Sequence, residues 1–343
     1  MLCYFISRKD FTIINCIEAS TYSIAYNLNC GGKTSIVIAG NPNASDGDFV
    51  ILKDGKDIKF KGIIEVIDNA DGGKKYSISC LEMEQLFDRQ VILQNEGLIS
   101  NSGIEDFVKY MIERFFSASG DDFIDMNYIK CNVLTHTKVN SKPTAENGIY
   151  NLKTYIGNIK EQYGIYLDFE FTKENLNISI YKKEQSSIQI DTTVTDIISC
   201  NETYKIKALS KLTVIWLNNV TQEKTLRYFY LHPNRTVSES SENRVDGTIS
   251  TIFVEAETED EMIQAAKNEF KSNSYSHSIE ANILMTSKLY PLNELYVGHE
   301  LVIKTAAAGV KESIISEIAF SDDSNAIFVK FGILKVTLTD KLK

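Results

Sequence analysis

Residues 1–92 alternate between apolar and polar side chains, and this alternation restricts the start of the chain to antiparallel β structure. The pattern predicts strands at residues 1–8, 12–18, 22–26, 35–39, 48–52, 58–67 and 75–81. Asp54-Gly55 separates two of these strands, and both residues favour the positive φ angles that a two-residue hairpin turn needs. Residues 69–73, Asn-Ala-Asp-Gly-Gly, close the next hairpin in the same way. We therefore expect an all-β domain at the start of the chain.

The apolar period changes to three and four residues between about 95 and 186, which predicts helices. The first helical stripe consists of Ile104, Phe107, Val108, Met111, Ile112, Phe115 and Phe116. Ser102 is expected to cap this helix, with Glu105 three residues further on. The second stripe consists of Ile149, Leu152, Ile156, Ile159 and Tyr163, and Gly164 is expected to end that helix. Residues 165–171 and 176–180 then alternate as a hairpin, so this region predicts a small α/β domain.

Strands resume after residue 187 and lead into a second β domain that begins near Lys211. One helix interrupts this domain at residues 258–271. Thr258 and Glu261 have the spacing of a capping box at its start, and Glu259 and Asp260 favour the positive end of the helix dipole. The five acids between Glu255 and Glu261 alternate around the helix rather than converge, which predicts a solvated helix start and not a metal site.

Composition excludes several classes of protein. The chain carries 46 acidic and 36 basic side chains, a formal net charge of −10, whereas a protein that grips nucleic-acid phosphates needs clustered Lys and Arg. Transient contact with a passing duplex stays compatible with this charge.

Six widely spaced cysteines favour reduced, buried thiols over a zinc site or a disulfide framework. Neither a secretory signal nor a membrane-spanning run of roughly 20 apolar residues is visible, so we expect a protein made in a cytosol.

No residue pattern predicts catalysis. The histidines stand at positions 136, 232, 277 and 299, too far apart for a local metal motif. His299-Glu300 lacks the second histidine of a zinc-protease helix, since Ile303 occupies that position. Gly31-Gly32-Lys33-Thr34 lacks the first glycine of a phosphate-binding loop, where Asn27 stands, and predicts a turn. We assign no catalytic, cofactor-binding or metal-binding residue, although a hydrolase assembled from distant cysteines and histidines, tested at His136 and His232, stays open.

Aromatic residues leave two further alternatives open. Trp216 lies in an alternating strand, where core packing is favoured over a sugar-binding platform. The cluster from Arg227 to Pro233 contains Tyr228, Phe229 and Tyr230, and it suits either an interface anchor or a buried strand.

Several segments of the chain resemble one known family. Residues 275–280 read Tyr-Ser-His-Ser-Ile-Glu, residues 297–303 read Val-Gly-His-Glu-Leu-Val-Ile, and the chain ends with Phe331-Gly332-Ile-Leu and then Leu338-Thr-Asp-Lys-Leu. Residues 47–82 add a Phe60-Lys-Gly62-Ile-Ile step. With the inserted helix, this order resembles the baseplate-hub and tail-associated proteins of tailed phages and phage-tail-like bacteriocins.

The resemblance implies a mainly β fold with an α+β insertion. It consists of two tail-tube-type antiparallel barrels, a small α/β domain and a helix-containing insertion. The first barrel would take residues 1–94, completed by about 187–210. The insertion would take residues 95–186, and the second barrel residues 211–343, with its helical segment at about 256–290.

The resemblance also implies a function that is structural and not enzymatic. Three copies would form a ring that joins the hexameric tail tube to a three-fold spike or fibre, with a channel faced by acidic and polar residues. Tube or distal tail protein, tape measure, spike or fibre, and passing DNA would be the partners. The location would be the tail tip of the particle, after synthesis in the host cytoplasm. The alternatives are a cell-wall-degrading hydrolase and a host glycan- or receptor-binding module.

Overall fold

The structure is a computed structural model, and it describes residues 1–92, 103–121, 125–138, 149–184, 188–205, 209–232, 236–245, 247–272, 276–306 and 309–332. The chain divides into two compact units. Unit 1 comprises Met1–Cys200 and Glu280–Lys330, and unit 2 comprises Asn201–Ile279 and Phe331–Lys343. Ser102 and the closing segment 333–343, for which a cap and a family motif were predicted, lie outside the described residues. In the described parts of the chain, no helix is both long and apolar enough to cross a membrane.

The described elements are numbered in chain order. The strands are β1 Leu2–Ile6, β2 Ile13–Asn27, β3 Lys33–Ala39, β4 Phe49–Asp54, β5 Asp57–Ala70, β6 Lys75–Glu82, β7 Gln90–Ile92, β8 Ile129–Val133, β9 Ile149–Asn151, β10 Ile165–Phe171, β11 Leu176–Lys182, β12 Gln189–Asp191, β13 Ile197–Lys205, β14 Leu209–Asn218, β15 Lys224–Leu231, β16 Val237–Ser238, β17 Thr248–Ala256, β18 Ser276–Leu284, β19 Glu300–Thr305, β20 Gly309–Ser321 and β21 Ala326–Gly332. The helices are α1 Ile104–Ile112, α2 Leu152–Tyr163 and α3 Glu259–Ser272. The structure is mainly β with an α insertion, which confirms the predicted fold class.

The first six strands close into a ring. The antiparallel order is β1-β4-β5-β6-β3-β2, and β2 pairs back to β1, for example at Tyr4 with Cys16. Phe5, Phe60, Ile36 and Ile78 fill the inside of this ring and are fully buried. The pairing of β1 with residues 13–18 of β2 closes the ring, and its filled interior is a packed core rather than a channel.

The predicted hairpin turns are confirmed. Gly55 has a φ of 59° between β4 and β5, and Asp71, Gly72 and Gly73 have positive φ angles between β5 and β6. Asp54 pairs with Asp57 across the first turn. Short turns of this kind set the pairing register of the strands that they join.

Strand β2 continues beyond the ring and pairs with β20 through residues 23–27. The sheet then runs on in the order β20-β21-β18-β13, and β19 pairs with both β20 and β12. In this part of the sheet β12 lies beside β19 and β13 beside β18, and the completion of the first barrel by residues 187–210 stays a prediction. The predicted domain boundaries at 94, 186 and 211 stay a prediction.

The insertion in unit 1 packs α1 and α2 on the three-stranded sheet β10-β11-β8. Apolar side chains on both helices join one core with Phe49 and Phe87, including Phe107, Met111 and Ile156. Gly103 precedes α1, and its N–H donates to Asp106 Oδ2 at 3.0 Å. Gly164, with a φ of 66°, ends α2 as predicted, and β10 and β11 form the predicted hairpin.

Unit 2 contains a four-stranded sheet in the order β16-β15-β14-β17. Helix α3 packs on one face of this sheet through Met262, Ala266 and Phe270, which contact Leu212 and Phe229 in one buried core. The predicted cap of α3 is present, since Glu261 N donates to Thr258 Oγ1 at 3.3 Å.

Candidate functional site

The histidines whose side chains are described each have a partner of their own. His299 is buried with Nδ1 3.1 Å from the Glu294 carbonyl oxygen, and its ring stacks on Tyr296. His136 Nδ1 lies 2.7 Å from Asp106 Oδ2, whereas His232 Nε2 lies 2.7 Å from Ser238 Oγ in the other unit. His277 lies among residues whose side chains are not described. The described residues contain no group of three potential metal ligands.

Four of the six cysteines are buried thiols. All six are free, and Cys3, Cys30, Cys80 and Cys131 are buried. Burial raises the pKa of Cys3 to about 12, and it raises the pKa of Cys80 still further. A thiol reacts through its thiolate, so burial makes these groups poor nucleophiles.

The main candidate surface is the outer face of the long sheet in unit 1. The register of the strands places four serines side by side across β6, β3, β2 and β20. Ser79 pairs with Ser35, Ser35 with Ser23, and Ser23 with Ser321. The residues on either side of Ser79 and Ser35, such as Ile78 and Ile36, point inward and are fully buried. We call this outer surface the serine face.

Small side chains on neighbouring residues extend the serine face. Thr21 pairs with Val37, Val37 with Ser77, and Ala25 with Ala319. Such side chains are short and uncharged, so they leave the sheet surface smooth and present hydroxyl groups without a cluster of cations to hold phosphate.

Charges on the serine face are largely compensated. Lys33 Nζ lies 3.5 Å from Glu65 Oε2, and Lys330 Nζ lies 2.8 Å from Glu280 Oε1. Asp68 and Glu317 add negative charge, and Lys75 adds one positive charge at the end of β6. The face is thus polar with a slight excess of acid.

A second feature of unit 1 is a cleft of about 820 Å³ with a buried charged floor. Lys160, from α2, places Nζ 3.0 Å from Glu84 Oε1 and 3.3 Å from Cys30 Sγ. Glu82 Oε1 accepts hydrogen bonds from the N–H of Gly32 at 2.8 Å and of Asn27 at 3.2 Å. These three charged side chains are almost fully buried, and we call them the buried triad.

The electrostatics of the buried triad follow from one cation facing two carboxylates. Burial and the nearby Glu84 carboxylate raise the pKa of Glu82 to about 7, against the opposing attraction of Lys160. Burial alone lowers the pKa of Lys160, but Glu84, Cys30 and Glu82 outweigh burial and hold that pKa well above its ordinary value. Lys160 is therefore a fixed cation rather than a nucleophile. Its contacts join α2 of the insertion to the segment after β6 and to the turn between β2 and β3.

The aromatic residues divide between core and surface. Trp216 donates from Nε1 to the Ala256 carbonyl oxygen at 3.1 Å and packs against the core of unit 2. In the cluster from Arg227 to Pro233, Phe229 is buried, whereas 44% of Tyr228 is exposed. Arg227 makes ion pairs with Glu239 at 2.6 Å and Glu259 at 2.7 Å. Strand burial therefore holds for Phe229, and an interface at Tyr228 stays a prediction.

No protein-family model matches the chain, and no curated protein matches it. Among solved structures, the 43 kDa tail protein of prophage MuSo2 from Shewanella oneidensis is similar, with a TM-score of 0.56 and 14% identity over 98% of both chains. Prophage tail protein gp18 from Listeria monocytogenes EGD-e has a TM-score of 0.56 and 9% identity, over 99% of this chain and 97% of that one. A chain of the phage P2 baseplate in its activated conformation with Ca has a TM-score of 0.54 and 10% identity, over 96% and 98%. The predicted resemblance to phage tail and baseplate proteins is thus confirmed at the level of the fold.

Proposed function

We propose that this chain is a structural hub of a phage tail tip, or of a phage-tail-like particle, and not an enzyme. The observation that carries the proposal is the whole-length likeness to prophage tail and baseplate proteins, which covers at least 96% of each chain. Because the likeness spans both units, it applies to the order of strands and helices along the whole chain and not only to one barrel that many folds share. The buried triad and the buried thiols support a structural role, because the triad joins separate segments of the fold and burial makes the thiols poor nucleophiles.

The hub consists of three copies around a channel. The ring β1–β6 is filled with side chains, so an opening for DNA or tape measure must lie between copies and not inside one. The serine face is the part of unit 1 that suits the wall of that opening. It is broad and smooth, and its slight acidity lets a duplex slide because no cation cluster grips the phosphates.

This arrangement assigns the partners. The ring joins the tail tube or distal tail protein to a three-fold spike or fibre, and the tape measure and DNA contact the serine face transiently. The assembled protein lies at the tail tip after synthesis in the host cytoplasm.

The proposal is tested by imaging labelled particles. In a Cys16→Ser, Cys200→Ser background, Ser35→Cys adds a thiol on the serine face, and Lys56→Cys adds one at the tip of the β4–β5 hairpin. Each variant is labelled with maleimide-gold and imaged by electron microscopy with class averaging. We expect three-fold rings, with gold in the central hole for Ser35→Cys and elsewhere for Lys56→Cys. Absence of rings, or gold from Ser35→Cys on the periphery, would contradict the proposal.

A further inference from the structure

The sheet of unit 2 has a second face, which no described element of that unit covers. Residues that alternate with the α3-facing core form this face. In its central row Leu226 pairs with Ile215, and Ile215 pairs with Phe253, so three strands place apolar side chains side by side. Leu226 is 57% exposed, Phe253 52% and Ile249 68%. We call this surface the open face.

Cations lie at both ends of the open face. Lys211 Nζ lies 5.1 Å from the centre of the Tyr228 ring, and Arg244 lies 5.6 Å from that of Tyr230. At the other end, Lys224 Nζ lies 5.6 Å from the Phe253 ring. An apolar centre with aromatic side chains and a charged margin is the composition of a protein–protein contact.

The size of the open face limits what can bind it. Four alternate residues along three strands cover roughly 300 Å² at the usual spacings of a sheet. A stable interface covers about 800 Å² on each partner. The open face is therefore part of a larger contact whose remaining area lies elsewhere, as between copies of one chain in a ring.

The charges of unit 2 indicate which surface meets the open face. The segment from Glu257 to Glu261, at the start of α3, carries four exposed acids, of which Glu259 is paired with Arg227. Glu257 and Asp260 thus lie in the same unit as Lys211, Lys224 and Arg244, so each copy offers both a basic apolar face and an acidic segment. Complementary patches at different places on one subunit form head-to-tail contacts, which close into a ring when the rotation between successive copies divides a full turn.

We propose that the open face binds a second copy of this chain, whose acidic segment 257–261 lies against the lysines and the arginine. This inference rests on the proposed function, since it names the surface through which hub subunits meet. Single-stranded nucleic acid fits less well, because Leu226 and Ile249 cannot stack on bases and cations of the same chain already lie over the rings.

The test compares two substitutions with equal change in charge. Phe253→Glu places a carboxylate in the centre of the open face, and Val220→Glu places one on a 71% exposed residue in the β14–β15 turn. Sedimentation velocity and native mass spectrometry give the oligomeric state, and Trp216 fluorescence checks the folding of unit 2. We expect Phe253→Glu to raise the concentration for half-assembly at least tenfold and Val220→Glu to leave it unchanged.

Charge reversal provides a second, independent measurement. Lys211→Glu with Lys224→Glu should weaken assembly, and adding Glu257→Lys with Asp260→Lys should restore it. If the wild type forms trimers and both Phe253→Glu and the reversed variants assemble equally well, this inference is wrong while the proposed function stands. If the wild type is monomeric at every concentration, both are wrong. A fluorescent single-stranded DNA that binds the wild type but not Phe253→Glu, with assembly unchanged, would assign the open face to nucleic acid and overturn the inference.

Discussion

Glu82 should make the stability of unit 1 depend on pH near neutrality. Burial, together with Glu84, raises the pKa of Glu82 from 4.5 to about 7 in the folded chain. Between these two values the folded state holds a proton that the unfolded state has released, so rising pH favours unfolding. Each unit of pKa shift is worth about 1.4 kcal/mol, so the free energy of unfolding should fall by about 3 kcal/mol between pH 5 and pH 8.

Glu82→Gln removes the titration and keeps a side-chain oxygen for the N–H groups of Gly32 and Asn27. We expect it to flatten the pH dependence and to be about 3 kcal/mol more stable than the wild type at pH 8. Urea unfolding followed by far-ultraviolet circular dichroism at pH 5, 6, 7 and 8 measures both effects. Ionisable groups other than Glu82 are the same in both proteins, so their contributions cancel in the difference.

The control is Glu65→Gln, which neutralises an exposed carboxylate on β5 and should leave the slope unchanged. Equal slopes for the wild type and Glu82→Gln would refute the reasoning.

Two further changes test the packing of unit 1. Lys160→Met leaves Glu82 and Glu84 buried without their cation and should lower the free energy of urea unfolding at pH 8 by about 3–5 kcal/mol. Adding Glu84→Gln should recover most of this loss, and a double variant no more stable than Lys160→Met would contradict the role of the triad. Gly32→Ala should lower the melting temperature, because the new Cβ would lie 2.2 Å from the Ala25 carbonyl oxygen, an overpacking cost of roughly 1–3 kcal/mol. Gly31→Ala is its control, since the nearest atom there is at 3.9 Å, and equal melting temperatures for the two variants would count against the packing argument.

The sequence predicted best what local chemistry determines. Asp54-Gly55, Gly164 and the Thr258 cap each act within one turn, and no distant residue is needed to specify them. Strand β2 shows the opposite case. The sequence predicted two strands, at 12–18 and 22–26, whereas the structure has one strand with a register shift between Ala19 and Thr21. A bulge absorbs the extra residue and keeps the strand continuous, which a period-two pattern cannot reveal.

Partners far apart in the sequence explain what was missed. The pairing of β12 with β19 depends on residues more than a hundred positions away, and neither strand carries a signal of its partner. One feature of the sequence indicates the buried triad. Lys160 follows Ile159 on the buried side of α2, and a lysine that is buried there requires a buried acid as its partner. The alternation Ser77-Ile78-Ser79 indicates that one face of β6 carries hydroxyl groups. Only the pairing register in the structure shows that β3, β2 and β20 extend this face.

The shared strand β2 has a consequence for biosynthesis. The ring β1–β6 needs only the first 82 residues and can close while the ribosome is still making the insertion. Residues 23–27 of β2 must wait for their partners in β20, and Tyr22 N bonds to Asp322 Oδ1, 300 residues later. At a translation rate of 5–20 residues per second, residues 23–27 of β2 remain without their partner strand β20 for roughly 15–60 s. The nascent chain is then most exposed to wrong strand pairing, and slower translation between β3 and β20 would lengthen that interval.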